Sequence, residues 1–211
     1  MNSFIEALRQ RLQDELPGEE SHSRMLPKNR REGKHTSFPK KAGVLILLFP
    51  EEKDIKTVVI KRAIDNSPHS GQIALPGGRH ENQDIDITHT ALRESWEEIG
   101  ILPEEVNVLG ALTHIYIPVS NYEVVPVLGF IKEKPAFILN KNEVEEIIEI
   151  SISELTGKEV YQNTCLKKED HKEVWVPCLQ IKKSPPIWGA TAMILSELID
   201  LINDLPATRW L

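Results

Sequence analysis

The stretch Arg93-Glu94-Ser95-Trp96-Glu97-Glu98-Ile99-Gly100-Ile101, preceded by Pro76-Gly77-Gly78, decides how the chain is read. On a helix Glu94, Glu97 and Glu98 fall at i, i+3 and i+4, so three carboxylates share one face. Ala91, Leu92, Ser95, Trp96 and Ile99 take the other side, which suits packing against a sheet. Like charges at this spacing destabilise an isolated helix by roughly 0.2–0.5 kcal/mol per pair. A divalent cation would remove that repulsion, and hard oxygen donors at this density suit magnesium or manganese. A plain solvated acidic face is the alternative, and three glutamates alone do not exclude it. Residues 85–99 are read as the helix, stopped by Gly100 with Pro103 beyond. Pro76-Gly77-Gly78 falls between a strand-like stretch, Gln72 to Leu75, and this helix. Glycines there let the backbone approach a ligand closely, and a free carbonyl can add a metal ligand.

Outward from this centre, strand signals dominate. Val44 to Phe49 has the unbroken apolar character of a buried strand, and Thr57 to Lys61 follows across a polar turn as its hairpin partner. Val106 to Leu112 and Val124 to Phe130 are further strands. Gly189 to Leu205 is a helix with Ala192, Leu195, Leu198, Ile199 and Ile202 on one side. Phe4, Leu8 and Leu12 mark a short N-terminal helix ended by Pro17-Gly18. Residues 18–40 are polar and are read as a long lead into the core. The order predicts one α/β domain over residues 1–211, with its core at about 42–205. Its architecture is an α/β/α sandwich, with helices on both faces of a mixed β-sheet.

Composition narrows the functional classes. The chain has 211 residues, 40% hydrophobic and 27% charged, as in an ordinary globular domain. The apolar run at Val44–Phe49 is far short of the ~20 residues a helix needs to cross a bilayer. The N-terminus lacks the basic start and apolar stretch of a signal peptide. Cys165 and Cys178 fit neither a disulfide framework nor a zinc site, so both are read as reduced packing residues and the expected location is cytoplasmic. A net charge of −7 argues against broad nucleic-acid binding. It is compatible with a small phosphate-bearing substrate, because a bound cation inverts the local sign. Residues 22–41 carry seven Lys or Arg against one acid, Glu32. This segment is read as a solvated lead; a homodimer is left open.

From Gly78 to Ile101 the chain resembles the Nudix box. Arg93, Glu94, Glu97, Glu98, Gly100 and Ile101 match the dense half of that pattern in register. The looped half departs: Asp84 stands for the expected Glu, and the gap to Arg93 is one residue longer than usual. The resemblance implies a Nudix-type fold and metal-dependent cleavage of a diphosphate. It implies Mg²⁺ or Mn²⁺ held by Glu94, Glu97, Glu98 and the Gly78 backbone, and attack by a cation-activated water. Glu94 and Glu97 are expected to be catalytic as well as metal-ligating.

Preceding residues are similar to the signature of coenzyme A pyrophosphatases. Arg62, Ala63, Gly71, Pro76, Gly77 and Gly78 fit, while Ile60, Leu75 and Ser67 depart from it. At Ser67 an arginine is expected, and serine cannot replace its charge. Pro118-Val119-Ser120-Asn121-Tyr122 and Ile187-Trp188-Gly189-Ala190-Thr191 also look like this subgroup. Its implied substrate is coenzyme A or an acyl form, with ADP-ribose or another nucleoside diphosphate derivative as the rival. A silent nucleotide-binding module is the rival from another class. Arg62, His69, Gly77 and Arg93 are the expected substrate contacts. Arg62 is the candidate reader of the 3′-phosphate, and Arg93 can equally brace the glutamates by ion pairing. Glu143 lies where related enzymes present a further acid as ligand or general base, with Glu145 and Glu146 as competitors. Trp188 is read as a packing anchor.

Overall fold

A computed structural model of the chain describes residues 2–27, 38–65, 69–167, 173–182 and 184–206. Its centre is the apolar run read above, which forms strand β1 (Lys40–Glu51). Leu45, Leu47 and Phe49 point to one core while Ile46 and Leu48 point to another, all fully buried. A strand covered on both faces needs no polar alternation, hence the continuous run. β2 (Asp54–Arg62) returns from it as a hairpin, with Phe49 opposite Lys56. β3 (Ile73–Ala74) pairs with β2, and β4 (Gly77–Arg79) lies antiparallel to β1.

The chain then crosses one face of the sheet as α3 (Ile87–Ile99), the α1 and α2 labels belonging to helices Asn2–Arg11 and Gly18–Ser23. Asp86 caps α3, its carboxylate accepting the His89 N–H at 2.7 Å, and such a cap contributes about 1 kcal/mol. This moves the start two residues past the expected 85 and leaves Ile85 exposed. Gly100 closes the helix at φ 77°, a left-handed conformation that favours glycine, its N–H reaching the Trp96 carbonyl. After β5 (Asn107–Ala111) and β6 (Ile115–Ile117), β7 (Tyr122–Phe130) lies parallel to β1, with Val44 opposite Pro126. Both β5 and β6 pair antiparallel with β7. β8 (Val144–Ser151) pairs with β2, with a bulge at Lys61/Arg62.

The opposite face is covered by α5 (Gly189–Asn203) together with α1, and α2 packs on α5. The expected mixed sheet with helices on both faces is thus the observed architecture. α4 (Ile152–Leu155) leads to a second sheet of β9 (Tyr161–Lys167), β10 (Glu173–Leu179) and β11 (Ile187–Trp188), absent from the sequence reading.

Three other expectations change. The lead is not wholly solvated: in α2, Ser21 and His22 are buried, and His22 Nε2 meets Glu197 of α5 at 2.9 Å. Burial pushes the Glu197 carboxyl up, but His22 and two Thr113 donors outweigh it and hold the group below its ordinary range. Residues 28–37 of the lead lie outside the described residues. Trp96 does not pack against the sheet; it is 52% exposed, because Ala91, Ser95 and Ile99 already fill that contact. The last helix ends at Asn203, not Leu205. Both cysteines are free, with Cys178 buried. Among the described residues no helix is long and apolar enough to cross a membrane.

Candidate active site

The end of β2, the β3–β4 turn and α3 meet at one place. Gly77 has φ 147°, and a Cβ there would collide with the backbone of Gly43 and Val44. A Cβ at Gly78 would fall on the Glu94 carboxylate. The glycine pair therefore lets the β4 backbone come within reach of the α3 glutamates.

Glu98 is 1% exposed, and its Oε2 accepts the Gly77 N–H at 2.8 Å. Its Oε1 lies 3.7 Å from Arg62 Nη1. Burial pushes the Glu98 carboxyl up to about 8; the Gly77 bond and Arg62 pull it down, and Glu94 and Glu143 add repulsion. Glu94 is also raised, by burial first, with Arg93 opposing and Glu97 and Glu143 adding to it. Glu97 turns outward to Arg93 Nη1 at 3.2 Å. Among the described residues no three acidic, histidine or cysteine side chains converge as a ready metal cage. The donor set still fits a hard divalent cation. It is all oxygen and crowded with like charge, burial pushes the Glu94 and Glu98 carboxyls above the ordinary range, and a bound cation would favour their charged forms.

Arg93 is engaged on all three nitrogens. Nε and Nη2 grip Asp84 at 2.8 and 3.0 Å, Nη2 also reaches the Arg79 carbonyl at 3.1 Å and Glu94 at 3.0 Å, and Nη1 reaches Glu97. This is the geometry of a brace, with no nitrogen free for substrate. Asp84, the departure from the box pattern, anchors it. The Arg93 guanidinium holds the Asp84 carboxyl far below its ordinary range against the effect of burial, helped by Glu81 N–H, Thr90 and His89. Burial and donor count make Asp84 important here, and neither is visible in a linear pattern.

Arg62 has a different environment. Its Nε is buried and lacks a hydrogen-bond partner among the described residues. Beside Glu98, Arg62 faces the carboxylate centre. His69 uses both ring nitrogens internally, with Gln72 Oε1 at 3.2 Å and Ser120 Oγ at 3.1 Å. It ties the 69–72 turn to the 118–122 stretch. Ser67 lies outside the described residues.

Of the three acids on the β8 approach, Glu143 alone raises Glu94 and Glu98 through its charge. Its Oε1 accepts from Asn140 Nδ2 at 3.1 Å. Glu145 is paired with Lys61 at 2.7 Å, and Glu146 is exposed on the strand. Asn140 was missed by sequence reasoning, since a lone asparagine in a loop carries no signal. Trp188 sits at the cap of α5, and Thr191 Oγ1 donates to the Ile73 carbonyl at 3.1 Å, securing β3 to that helix.

A crossover helix of crowded glutamates, braced by an arginine over a glycine turn, is the arrangement of the Nudix class of hydrolases. The NUDIX domain model matches residues 39–195, and the chain belongs to the Nudix hydrolase family. It is 35% identical over 150 residues to the uncharacterized Nudix hydrolase NudL of Pectobacterium atrosepticum, covering 71% of this chain and 76% of that protein. It is 32% identical over 174 residues to Nudix hydrolase 15, mitochondrial, of Arabidopsis thaliana, covering 80% of this chain and 60% of the relative. Among solved structures, a MutT/nudix family protein from Enterococcus faecalis shares the fold with a TM-score of 0.54 at 20% identity, covering 82% of this chain and 66% of the other.

Proposed function

We propose that the chain hydrolyses the diphosphate linkage of coenzyme A or an acyl-coenzyme A, giving 3′,5′-ADP and the corresponding 4′-phosphopantetheine, with Mg²⁺ or Mn²⁺ as the resident cation. The observation that carries this is the meeting of the buried Glu98 with Gly77 and Arg62. Carboxylates for a cation and an under-satisfied guanidinium for a phosphate stand at one point. The coenzyme A assignment rests on the signature residues around Arg62 and on the 118–122 stretch, which His69 joins to the 69–72 turn.

Glu94 and Glu98, with Glu97 on turning inward and the Gly78 carbonyl, are the groups that would hold the cation. When bound, that cation supplies Lewis acidity to the diphosphate and lowers the pKa of a water molecule. Glu143, oriented by Asn140, takes the proton as the water oxygen attacks phosphorus and the bridging P–O bond breaks. Arg62 offsets charge on the phosphate oxygens, where a charge-assisted bond contributes about 1.5–3 kcal/mol. Arg93 keeps Glu94 and Glu97 in place. Retention of all three α3 glutamates argues against a silent binding module.

The test is hydrolysis across coenzyme A, its thioesters, 3′-dephospho-coenzyme A, ADP-ribose and dinucleoside polyphosphates, with products identified. Release of 3′,5′-ADP from coenzyme A is expected. Efficient cleavage of ADP-ribose with coenzyme A untouched would overturn the substrate and leave the hydrolase class standing.

A further inference from the structure

Next to the carboxylate centre, at the C-terminal end of α3, lies an open cleft of about 570 Å³. Its walls are Trp96, Leu102, Pro135, Ile138 and Leu139, with Glu97, Glu105 and Asn140 among its polar edges. Trp96, Leu102 and Ile138 are 52%, 40% and 72% exposed. Single exposed apolar side chains are common on protein surfaces, but here three line one concavity of ligand size.

The cleft is preformed. Ile138 N–H donates to the Ile99 carbonyl at 2.9 Å, and Asn140 N–H donates to that of Glu98 at 3.0 Å. The far wall is therefore stitched to the last turn of α3. A Cβ at Gly100 would run into Ile138, so the left-handed cap also seats that residue. Two residues link the cleft to the neighbouring site: Glu97 of the glutamate cluster lines it, and Asn140 lines it while donating to Glu143.

Its chemistry selects one end of a coenzyme A-type substrate. Among the described residues no Lys, Arg or His lines it, and two carboxylates stand at it, Glu97 and Glu105. The adenosine end, with its 3′-phosphate, would meet repulsion and no cation. Nucleobase edges would find few polar partners. An uncharged aliphatic chain loses nothing by entering and removes Trp96, Ile138 and Leu102 from water.

Given the substrate class proposed above, on which this step rests, we propose that the cleft receives the acyl chain of an acyl-coenzyme A and makes the enzyme selective for chain length. The test is kcat/KM for coenzyme A and its acetyl, hexanoyl and decanoyl thioesters. In the unaltered protein kcat/KM rises from hexanoyl to decanoyl by about fourfold per methylene that becomes buried. Ile138→Asp, a change at an exposed position, lowers the decanoyl-to-coenzyme A ratio at least tenfold. Leu102→Ser lowers it in the same direction. Calorimetric affinities of decanoyl-coenzyme A and coenzyme A for the Glu98→Gln protein should show the same preference without turnover.

Cleavage of coenzyme A with a flat series, unmoved by either variant, overturns the cleft assignment and leaves the substrate class intact. Failure to bind or cleave any coenzyme A form overturns the substrate class itself. A flat series together with a change in sedimentation of Ile138→Asp assigns the cleft to contact between copies of the chain and also overturns the proposal.

Discussion

Glu98 Oε2 accepts the Gly77 N–H at 2.8 Å inside a site that otherwise excludes water from that carboxylate. The bond fixes the last glutamate of α3 to the glycine turn and joins the two halves of the box. A charged side chain is held where solvation is poor, which is unfavourable until a cation shares the space. Glu98→Gln keeps the shape and can still accept from Gly77. We expect it to lower turnover by about a hundredfold or more, on the scale of removing a transition-state charge partner. The metal-free protein should melt no lower than the parent. Near-parental activity at saturating Mg²⁺ would refute the assignment.

The raised Glu98 group sets a pH dependence. Its folded pKa of about 8 lies above the ordinary 4.5, so between these values the folded state binds more protons than the unfolded state. The contribution of this group to metal-free stability is therefore complete below about pH 4.5 and is lost as pH rises towards about 8. Thermal melts in chelator from pH 5 to 9 should show this decline, and Glu98→Gln should flatten it.

Cation binding must displace that proton, so its affinity should climb through the same window and level off above it. Added Mg²⁺ should raise the melting temperature by mass action, more at pH 8 than at pH 6. A midpoint indifferent to Mg²⁺ at both pH values would count against a preformed site.

Asp84 receives both Nε and Nη2 of Arg93 in a buried pocket. Asp84→Asn removes the charge and one of the two oxygens that face Arg93, and breaking such a pair costs about 3–5 kcal/mol. We expect a clear loss of stability by denaturant titration and a fall in kcat, because Glu94 and Glu97 lose their brace. Unchanged stability would make the pair ornamental.

Arg62 stands 3.7 Å from Glu98 and keeps its Nε without a partner among the described residues. Arg62→Ala should weaken kcat/KM about tenfold or more for coenzyme A and its dephospho form alike, the equivalent of at least ~1.4 kcal/mol. A loss confined to the 3′-phosphorylated substrate would instead make Arg62 the reader of that phosphate.

Periodicity and local chemistry determined much of this protein on their own. The unbroken run of β1, the glutamate spacing of α3 and the stop at Gly100 are short-range patterns, and each is found where the residues place it. The carboxylate face was legible because helical spacing alone sets which residues share it. Tertiary structure decided what long-range burial controls. Trp96 and Ile99 are both apolar, yet only the sheet's shape decides that Ile99 is buried and Trp96 left to line a cleft. Asp84 is an ordinary loop acid until folding removes its water and supplies Arg93, Thr90 and His89 as donors. Glu143, Glu145 and Glu146 are equivalent in the sequence and separate only when β8 pairs with β2: Lys61 engages Glu145, Glu146 stays exposed, and the charge of Glu143 acts on the α3 carboxylates. Short-range patterns depend on the backbone's own geometry, whereas a side chain's charge state and partner depend on which distant segment displaces its water.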